Sequence, residues 1–378
     1  MGALRVLLAV NVVSEHSGRV LGIQALPGFL AVELFYVISG FYMGLILTEK
    51  YQRTGGWKIF YVNRALRLLP IYYFVLALTL LLCGFALLRG EALPPYLGGY
   101  AQADQLSAAT LAVVTLPNLS LAGLDILHFL HVTPDGGLAP SLRPPTALFD
   151  PSVAGRLFTA IPQAWTLGIE VEFYLLAPWL ARWRTRSLAV LLLVSAAMRA
   201  VFYRWGYAAD PWNDRFFPFE LALFVAGLIA YRAYRWLAQP GAPAAARALR
   251  MTGRASILTA AAVIMIFANV PQPPDFASLG HGPAANWLLI AGITALLPFI
   301  FLATRRSRLD NAIGQYSYPI YICHFIFISF FGVYLQKFSF VYGISVILLS
   351  ALLSALLLRA NRGVERYRAR GAVLAMEA

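Results

Sequence analysis

The sequence predicts an all-α integral membrane protein, a bundle of about ten transmembrane helices with both termini in the cytoplasm. Of its 378 residues, 60% are hydrophobic and only 12% are charged, whereas about a quarter of the residues in soluble domains are charged. The net charge of +13 comes from short basic clusters between apolar runs, as the positive-inside rule describes. We therefore expect one transmembrane domain over residues 1–378, with no nucleic-acid partner.

Apolar runs of about twenty residues predict the individual spans. They cover residues 3–18, 28–48, 66–88, 164–181, 187–204, 216–236, 254–270, 284–304, 312–333 and 338–359. Pro117 and Asn118 interrupt a further apolar stretch at 106–127, so we assign it to a long outer loop, residues 89–163, as an interfacial or re-entrant segment. Long loops of this kind are often functional.

The orientation follows from the alternation of basic clusters along the chain. With the N-terminus inside, most of the 30 Lys and Arg residues fall on the cytoplasmic side, in clusters between the spans. The first span then rises from Arg5 at the inner edge to His16, eleven residues and about 16 Å further along the helix axis. His16 is thus predicted near or past the middle of a hydrocarbon core of about 30 Å.

Four further ionisable residues are predicted in the middle or outer half of the membrane: Glu33, Glu170, Glu172 and His324. Because a charged group inside the bilayer costs several kcal/mol, such residues are candidates for a functional site. Carboxylates near a histidine can fix its tautomer and raise its basicity for acid–base chemistry. The same set would serve a proton relay in a transporter, and each residue alone could be a structural polar group bonded to a neighbouring helix.

Two shorter patterns complete the candidate sites. Arg64 and Arg67, three residues apart at the start of the third span, can bind the phosphates of a ligand, although lipid headgroups are an alternative. Gly40, in the segment Ser39–Phe41, is expected to serve close helix packing. His131 and Asp135 match the two fixed residues of a soluble acyltransferase signature, a match expected by chance.

Five blocks of the sequence, in order, resemble those of membrane acyltransferase family 3, the integral-membrane O-acyltransferases of bacterial surface polysaccharides. The blocks are Arg5 with His16, VELFYVISGF, FYVNRALRLLPIYY, AWTLGIEVEFYLLAPWL and GQYSYPIYICHF. The resemblance covers residues 1–332 and leaves the central 90–160 region unmatched. Thr166 stands where the family has serine, Glu172 where it has glutamine and Glu33 where aspartate is usual.

The resemblance implies transfer of an acyl group, acetyl by default, from cytoplasmic acyl-CoA to a hydroxyl of a carbohydrate or glycolipid, without a metal. His16 would act as the general base or carry the acyl group. The resemblance also implies that Glu170 would orient His16, and that Glu33 and Ser39 would support these two residues. The donor would be bound by Arg5, Arg64 and Arg67. The substrate would be faced by Glu172, Tyr174 and His324.

The same family implies a location in the bacterial inner membrane, among membrane lipids. An exporter or proton-coupled carrier of glycolipid remains the alternative function, because it would use the same buried His and Glu residues. The acceptor, the acyl group and the oligomeric state stay open at this point.

Overall fold

The computed structural model of the chain describes residues 1–18, 26–51, 56–141, 154–207, 210–239, 243–269, 283–331 and 339–368. Residues 142–153 of the predicted outer loop, and the basic residues Arg53 and Arg370 of two predicted inner clusters, lie outside this description. The described part is almost entirely helical. Its helices are α1 Gly2–Ser17, α2 Gly28–Glu49, α3 Gly56–Leu88, α4 Ala108–Ser120, α5 Trp165–Leu180, α6 Thr185–Arg204, α7 Phe217–Leu237, α8 Pro243–Asn269, α9 Pro283–Thr304, α10 Arg308–Gly314, α11 Ser317–Phe331 and α12 Phe340–Ala360.

The region between α3 and α5 holds the remaining structure. Short 3₁₀ helices at Pro95–Gln105, Ile126–Phe129, Gly155–Phe158 and Pro162–Ala164 accompany a hairpin of β1 Leu130–Val132 and β2 Leu138–Pro140. The predicted loop stretch at 106–127 contains α4, a helix of 13 residues that includes Pro117. At about 1.5 Å per residue this helix is about 20 Å long, too short to cross a bilayer.

Within the described residues, six helices are long and apolar enough to cross a membrane: α2, α3, α6, α7, α9 and α12. Among the other predicted spans, α1 and α5 have 16 residues each and α11 has 15. The finding supports a multi-pass membrane protein, and the count of ten spans stays a prediction. The third predicted span, 66–88, lies within α3, which begins earlier, at Gly56.

The start of α1 lies against α10. The carboxylate of Asp310 accepts hydrogen bonds from the backbone N–H groups of Gly2 and Ala3, at 2.7 and 2.9 Å, and so caps the helix. Two N–H groups that have no partner within α1 are thereby satisfied, and a negative charge meets the positive end of the helix dipole. Arg5 therefore lies at the same end of the bundle as Arg305 and Arg306, which precede α10.

At the centre of the bundle α2 and α7 cross at glycines. A Cβ atom at Gly40 would lie 2.0 Å from the Phe224 carbonyl oxygen, and one at Gly227 would lie 2.0 Å from the Val37 carbonyl oxygen. The two backbones approach closely because neither helix has a side chain at the crossing. The packing role predicted for Gly40 is confirmed.

We expect Gly40→Ala to lower the free energy of unfolding by about 1–3 kcal/mol, because the added methyl group overpacks the crossing. The matched control is Gly84→Ala on α3, where a Cβ would meet no atom within 4 Å; its effect should stay within about 1 kcal/mol. Thermal unfolding of the purified proteins in detergent measures both changes. Equal melting temperatures for the two variants would contradict the close approach of α2 and α7.

Candidate active site

A cavity of about 360 Å³ lies between α1, α2, α3, α5 and α11. One end is cationic and reaches the segment after α12, while the other ends among aromatic and hydroxyl side chains. The described residues that line it include Arg5, Phe35, Tyr36, Ile38, Ser39, Tyr42, Arg64, Arg67, Ile71, Thr166, Glu170, Tyr174, Gln315, Tyr318, Tyr321, Glu365 and Arg368. A volume of this size is typical of a small-molecule site.

The cationic end combines four arginines from three parts of the chain: Arg5 on α1, Arg64 and Arg67 on α3, and Arg368 beyond α12. The side chain of Arg64 is buried, and its Nε has no hydrogen-bond partner among the described residues. Such an arrangement can take phosphate groups, because each guanidinium can donate two parallel hydrogen bonds to one phosphate. The structure thus brings together all three residues that the sequence assigned to the donor.

Arg368 is the residue of this group that the sequence analysis missed. It lies among the basic residues near the C-terminus, where a charge that anchors the protein in the membrane is expected, and nothing in its local sequence distinguishes it. In the structure it forms an ion pair with Glu365, and both residues line the cavity. Only the tertiary structure places it beside Arg64.

Aromatic rings hold two of the arginines in place. The guanidinium carbon of Arg64 lies 5.8 Å from the ring centre of Tyr174 and 5.9 Å from that of Phe60. The guanidinium carbon of Arg5 lies 5.8 Å from the ring centre of Tyr42. These cation–π contacts stabilise the charges without consuming their N–H donors. The donors therefore remain available to a ligand.

Glu170 lies on the wall of the cavity, between α2 and α5. Its Oε1 accepts hydrogen bonds from the hydroxyl groups of Ser39, at 2.8 Å, and Tyr174, at 2.5 Å. The structure therefore brings the predicted residues Ser39, Glu170 and Tyr174 into one group. It differs from the prediction in one respect, since no hydrogen bond joins Glu170 to His16 in the part of the chain that the structure describes.

His16 is instead oriented by His324. The Nε2 of His324 lies 3.3 Å from the Nδ1 of His16, and the Nδ1 of His324 lies 2.7 Å from the Tyr321 carbonyl oxygen. A carbonyl can only accept, so the His324 Nδ1 carries the proton and, in the neutral ring, its Nε2 accepts. The proton between the rings then belongs to the His16 Nδ1. The Nε2 of His16 is left with its lone pair, which is the form a general base requires.

The His16–His324 pair lies next to the end of the cavity that Tyr321 lines. Tyr321, whose carbonyl holds His324, lines the cavity and packs against Phe35, with the ring centres 6.2 Å apart. The hydroxyl of Tyr321 is also bonded to Thr166, at 3.0 Å. The pair therefore lies at the end of the cavity opposite the four arginines.

Glu33 has a different partner from the one the sequence suggested. Its Oε1 accepts a hydrogen bond of 2.5 Å from Arg199 on α6, whose other terminal nitrogen lies 3.4 Å from Glu220 on α7. Both carboxylates are fully buried, with side chains 2% and 0% exposed. Glu33 thus belongs to an ion triad that joins α2, α6 and α7, and its support for His16 stays a prediction.

Replacing Arg199 should unfold this part of the bundle. Arg199→Met leaves two buried carboxylates without a counter-charge, which costs about 3–5 kcal/mol. Arg204→Met, at an exposed position of the same helix, is the control and should change little. Adding Glu33→Gln and Glu220→Gln to Arg199→Met should recover most of the melting temperature. An Arg199→Met protein as stable as Arg204→Met would contradict the triad.

Glu172 lies on a different side of α5, near Asp125, which follows α4. Burial, together with the nearby Glu172, raises the pKa of Asp125 to about 7. The role of Glu172 toward the substrate stays a prediction.

The fold and the site together define a multi-pass α-helical membrane protein with an internal cavity that is cationic at one end and flanked by a histidine pair at the other. Residues 1–359 match the family described as acyltransferase domain, which is the family that the five sequence blocks resemble. The chain belongs to this family, and its members' chemistry requires an acyl donor and an acceptor. No curated protein and no solved structure matches the chain.

Proposed function

We propose that this protein is an O-acyltransferase of the bacterial inner membrane, which moves an acyl group, acetyl by default, from cytoplasmic acyl-CoA to a hydroxyl of a carbohydrate or glycolipid. The observation that carries the proposal is a cavity that has four arginines at one end and the His16–His324 pair next to the other end. A phosphorylated donor would be held at one end and would react at the other.

The residues along the cavity fit the parts of an acyl-CoA molecule. The phosphates would contact Arg5, Arg64, Arg67 and Arg368, because guanidinium groups bind phosphate oxygens in pairs. The pantetheine arm is mostly apolar with two amides, and Ile38, Ile71 and Tyr318 offer apolar surface along the way. The orientation that the basic clusters predict would put the cationic end at the cytoplasmic face, where acyl-CoA is available.

In the transfer step His16 Nε2 takes the proton of the acceptor hydroxyl, while the hydroxyl oxygen attacks the thioester carbonyl carbon. The C–S bond breaks, the acyl ester forms on the acceptor, and His16 returns the proton to the sulfur of coenzyme A. His324 holds the tautomer of His16 and can share the charge that His16 gains. A variant of the mechanism has His16 carry the acyl group first.

The test uses the purified full chain in lipid nanodiscs, supplied with radiolabelled acetyl-CoA and with p-nitrophenyl glycosides of several hexoses. We expect label in the glycoside and an equal amount of free coenzyme A. Absence of both glycoside labelling and acetyl-CoA hydrolysis would overturn the proposal. If the radiolabel appeared in another nucleophile, the transferase activity would be supported and the acceptor would be a different molecule.

A further inference from the structure

The wall of the cavity changes its chemical character with distance from the four arginines. On α2, Tyr42 contacts Arg5, and Phe35 lies seven residues earlier, about 10 Å along the helix axis. On α5, Thr166 likewise lies eight residues, about 12 Å, before Tyr174, which contacts a second arginine. The described residues that line the end of the cavity away from the arginines are Val32, Phe35, Tyr36, Thr166, Leu167 and Tyr321.

Two aromatic rings close this end of the cavity. The ring centres of Phe35 on α2 and Tyr321 on α11 lie 6.2 Å apart, with an angle of 61° between the ring planes. This is an edge-to-face contact, and an alkyl chain does not fit between two rings at that separation, since carbon atoms in contact already lie about 3.5–4.0 Å apart. His324 follows Tyr321 by one helical turn and bonds its carbonyl. The closed end is therefore the part of the cavity next to the histidine pair.

Tyr321 is fixed by hydrogen bonds on two sides. Its hydroxyl lies 3.0 Å from the Thr166 hydroxyl and 3.2 Å from the Gln163 carbonyl oxygen. The side-chain amide of Gln163 donates to the carbonyl oxygens of Tyr321 and Ile322, at 3.3 and 2.7 Å. Phe35 is half-buried, and a phenyl ring is held by packing alone. The space at the closed end therefore depends on the size of the side chain at Phe35, which packs against a fixed tyrosine.

The position of the closed end decides which part of a donor it meets. In the proposed function the phosphates lie at the arginines and the thioester carbonyl lies next to His16. The acyl group is the only part of the donor beyond that carbonyl, so it has to fit into the space that remains among Val32, Phe35, Leu167 and Tyr321. These side chains present apolar surface from three helices.

Charge further restricts the acyl group. Among the described residues that line the closed end, none is charged. The first charged residue further along the wall formed by α5 is Glu170, three residues after Leu167. Its carboxylate would repel the free carboxylate of a dicarboxylic acyl group such as succinyl, and the repulsion is strong where water is scarce. The closed end therefore favours an acyl group that is both small and uncharged.

We propose that Phe35, together with Val32 and Tyr321, forms the acyl pocket and restricts the donor to uncharged acyl groups of about two or three carbons. This assignment rests on the proposed acyltransferase function. It adds the class of acyl group that is transferred and the residue that selects it.

The test compares acetyl-, butyryl- and succinyl-CoA as donors for full-length protein in nanodiscs, and measures the coenzyme A released with p-nitrophenyl hexosides present. Wild-type kcat/KM should be at least tenfold lower for butyryl-CoA and for succinyl-CoA than for acetyl-CoA, because an added methylene that a pocket cannot hold costs about 10–200-fold. Phe35→Ala should raise the butyryl-to-acetyl ratio of kcat/KM at least tenfold, and the milder Val32→Ala roughly threefold. The control is Phe74→Ala, at a half-exposed position of α3 outside the described cavity wall, which should keep the wild-type ratio.

The ratio separates a change of pocket size from a loss of stability, since a structural defect lowers kcat/KM for both donors alike. If the ratio stays at the wild-type level in Phe35→Ala and Val32→Ala protein, the acyl pocket is wrong while the transferase stands. Should Phe35→Ala protein fail to fold, the Val32→Ala ratio decides alone. Wild-type protein that uses butyryl- or succinyl-CoA as well as acetyl-CoA would also overturn the pocket. Wild-type protein that releases coenzyme A from none of the three donors would overturn the proposed function itself.

Discussion

Replacing His16 with alanine is expected to lower kcat for acyl transfer by about 10²–10⁴-fold, the contribution typical of a positioned general base. The structure supports this size of effect because the hydrogen bond to His324 leaves the Nε2 of His16 as a proton acceptor. Binding of acyl-CoA should change little, since the cationic end of the cavity is untouched. Single-turnover transfer and equilibrium binding of acetyl-CoA separate the two quantities.

His131→Ala is the matched control for this experiment. His131 belongs to the chance match with Asp135, lies on β1 and contacts Ser141 through its Nδ1 at 3.0 Å. The control protein should keep its transfer rate. The proposed mechanism would be contradicted if His16→Ala protein, present and folded in the membrane, had a normal kcat. If His131→Ala protein lost activity while His16→Ala protein kept it, the reaction would have to take place in the region between α3 and α5.

Replacing Arg64 or Arg67 with alanine should raise the Kd for acyl-CoA about 10- to 100-fold each. A hydrogen bond to a charged group contributes about 1.5–3 kcal/mol, and about 1.4 kcal/mol corresponds to a factor of ten. The transfer rate at saturating donor should fall much less, because neither arginine lies beside His16. Titration of acetyl-CoA against binding and against initial rate gives both values.

Three variants sharpen this prediction. Arg64→Lys keeps the charge and loses the paired donors, so its Kd should fall between those of wild-type and Arg64→Ala protein. Arg368→Ala should behave like Arg67→Ala, since the structure places both at the same end of the cavity. Arg186→Ala removes an exposed charge at the start of α6 and should leave Kd unchanged. If Arg186→Ala raised the Kd for acyl-CoA as much as Arg64→Ala does, Arg64 and Arg67 would attract the donor only through the overall positive charge of the protein.

Most helices could be predicted from the sequence because a bilayer imposes strict rules on apolar length and on the placement of basic residues. The bounds of α2, α6 and α7 differ from the predicted spans by at most two residues at each end. The first turns of α3 precede the predicted span, since they contain Lys58, Asn63 and Arg64 among the apolar residues. A search for apolar runs does not detect such a segment.

The partners of the candidate residues were harder to predict than their depth. Glu33, Glu170 and Glu172 lie on α2 and α5, yet the structure gives them three separate sets of contacts. Depth along a helix follows from a fixed rise per residue. The direction of a side chain around the bundle depends on how the helices pack, which one sequence read in isolation does not specify.

The sequence by itself determined the membrane-embedded helices, the family, and the residues able to bind phosphate or transfer a proton, because spacing and residue type are local properties. The tertiary structure decided that Arg368 lies at the cationic end of the cavity and that Glu33 pairs with Arg199. It also decided that His16 contacts His324, whereas Glu170 is hydrogen-bonded to Ser39 and Tyr174. These contacts link residues far apart in the chain, and their geometry arises only when the helices pack.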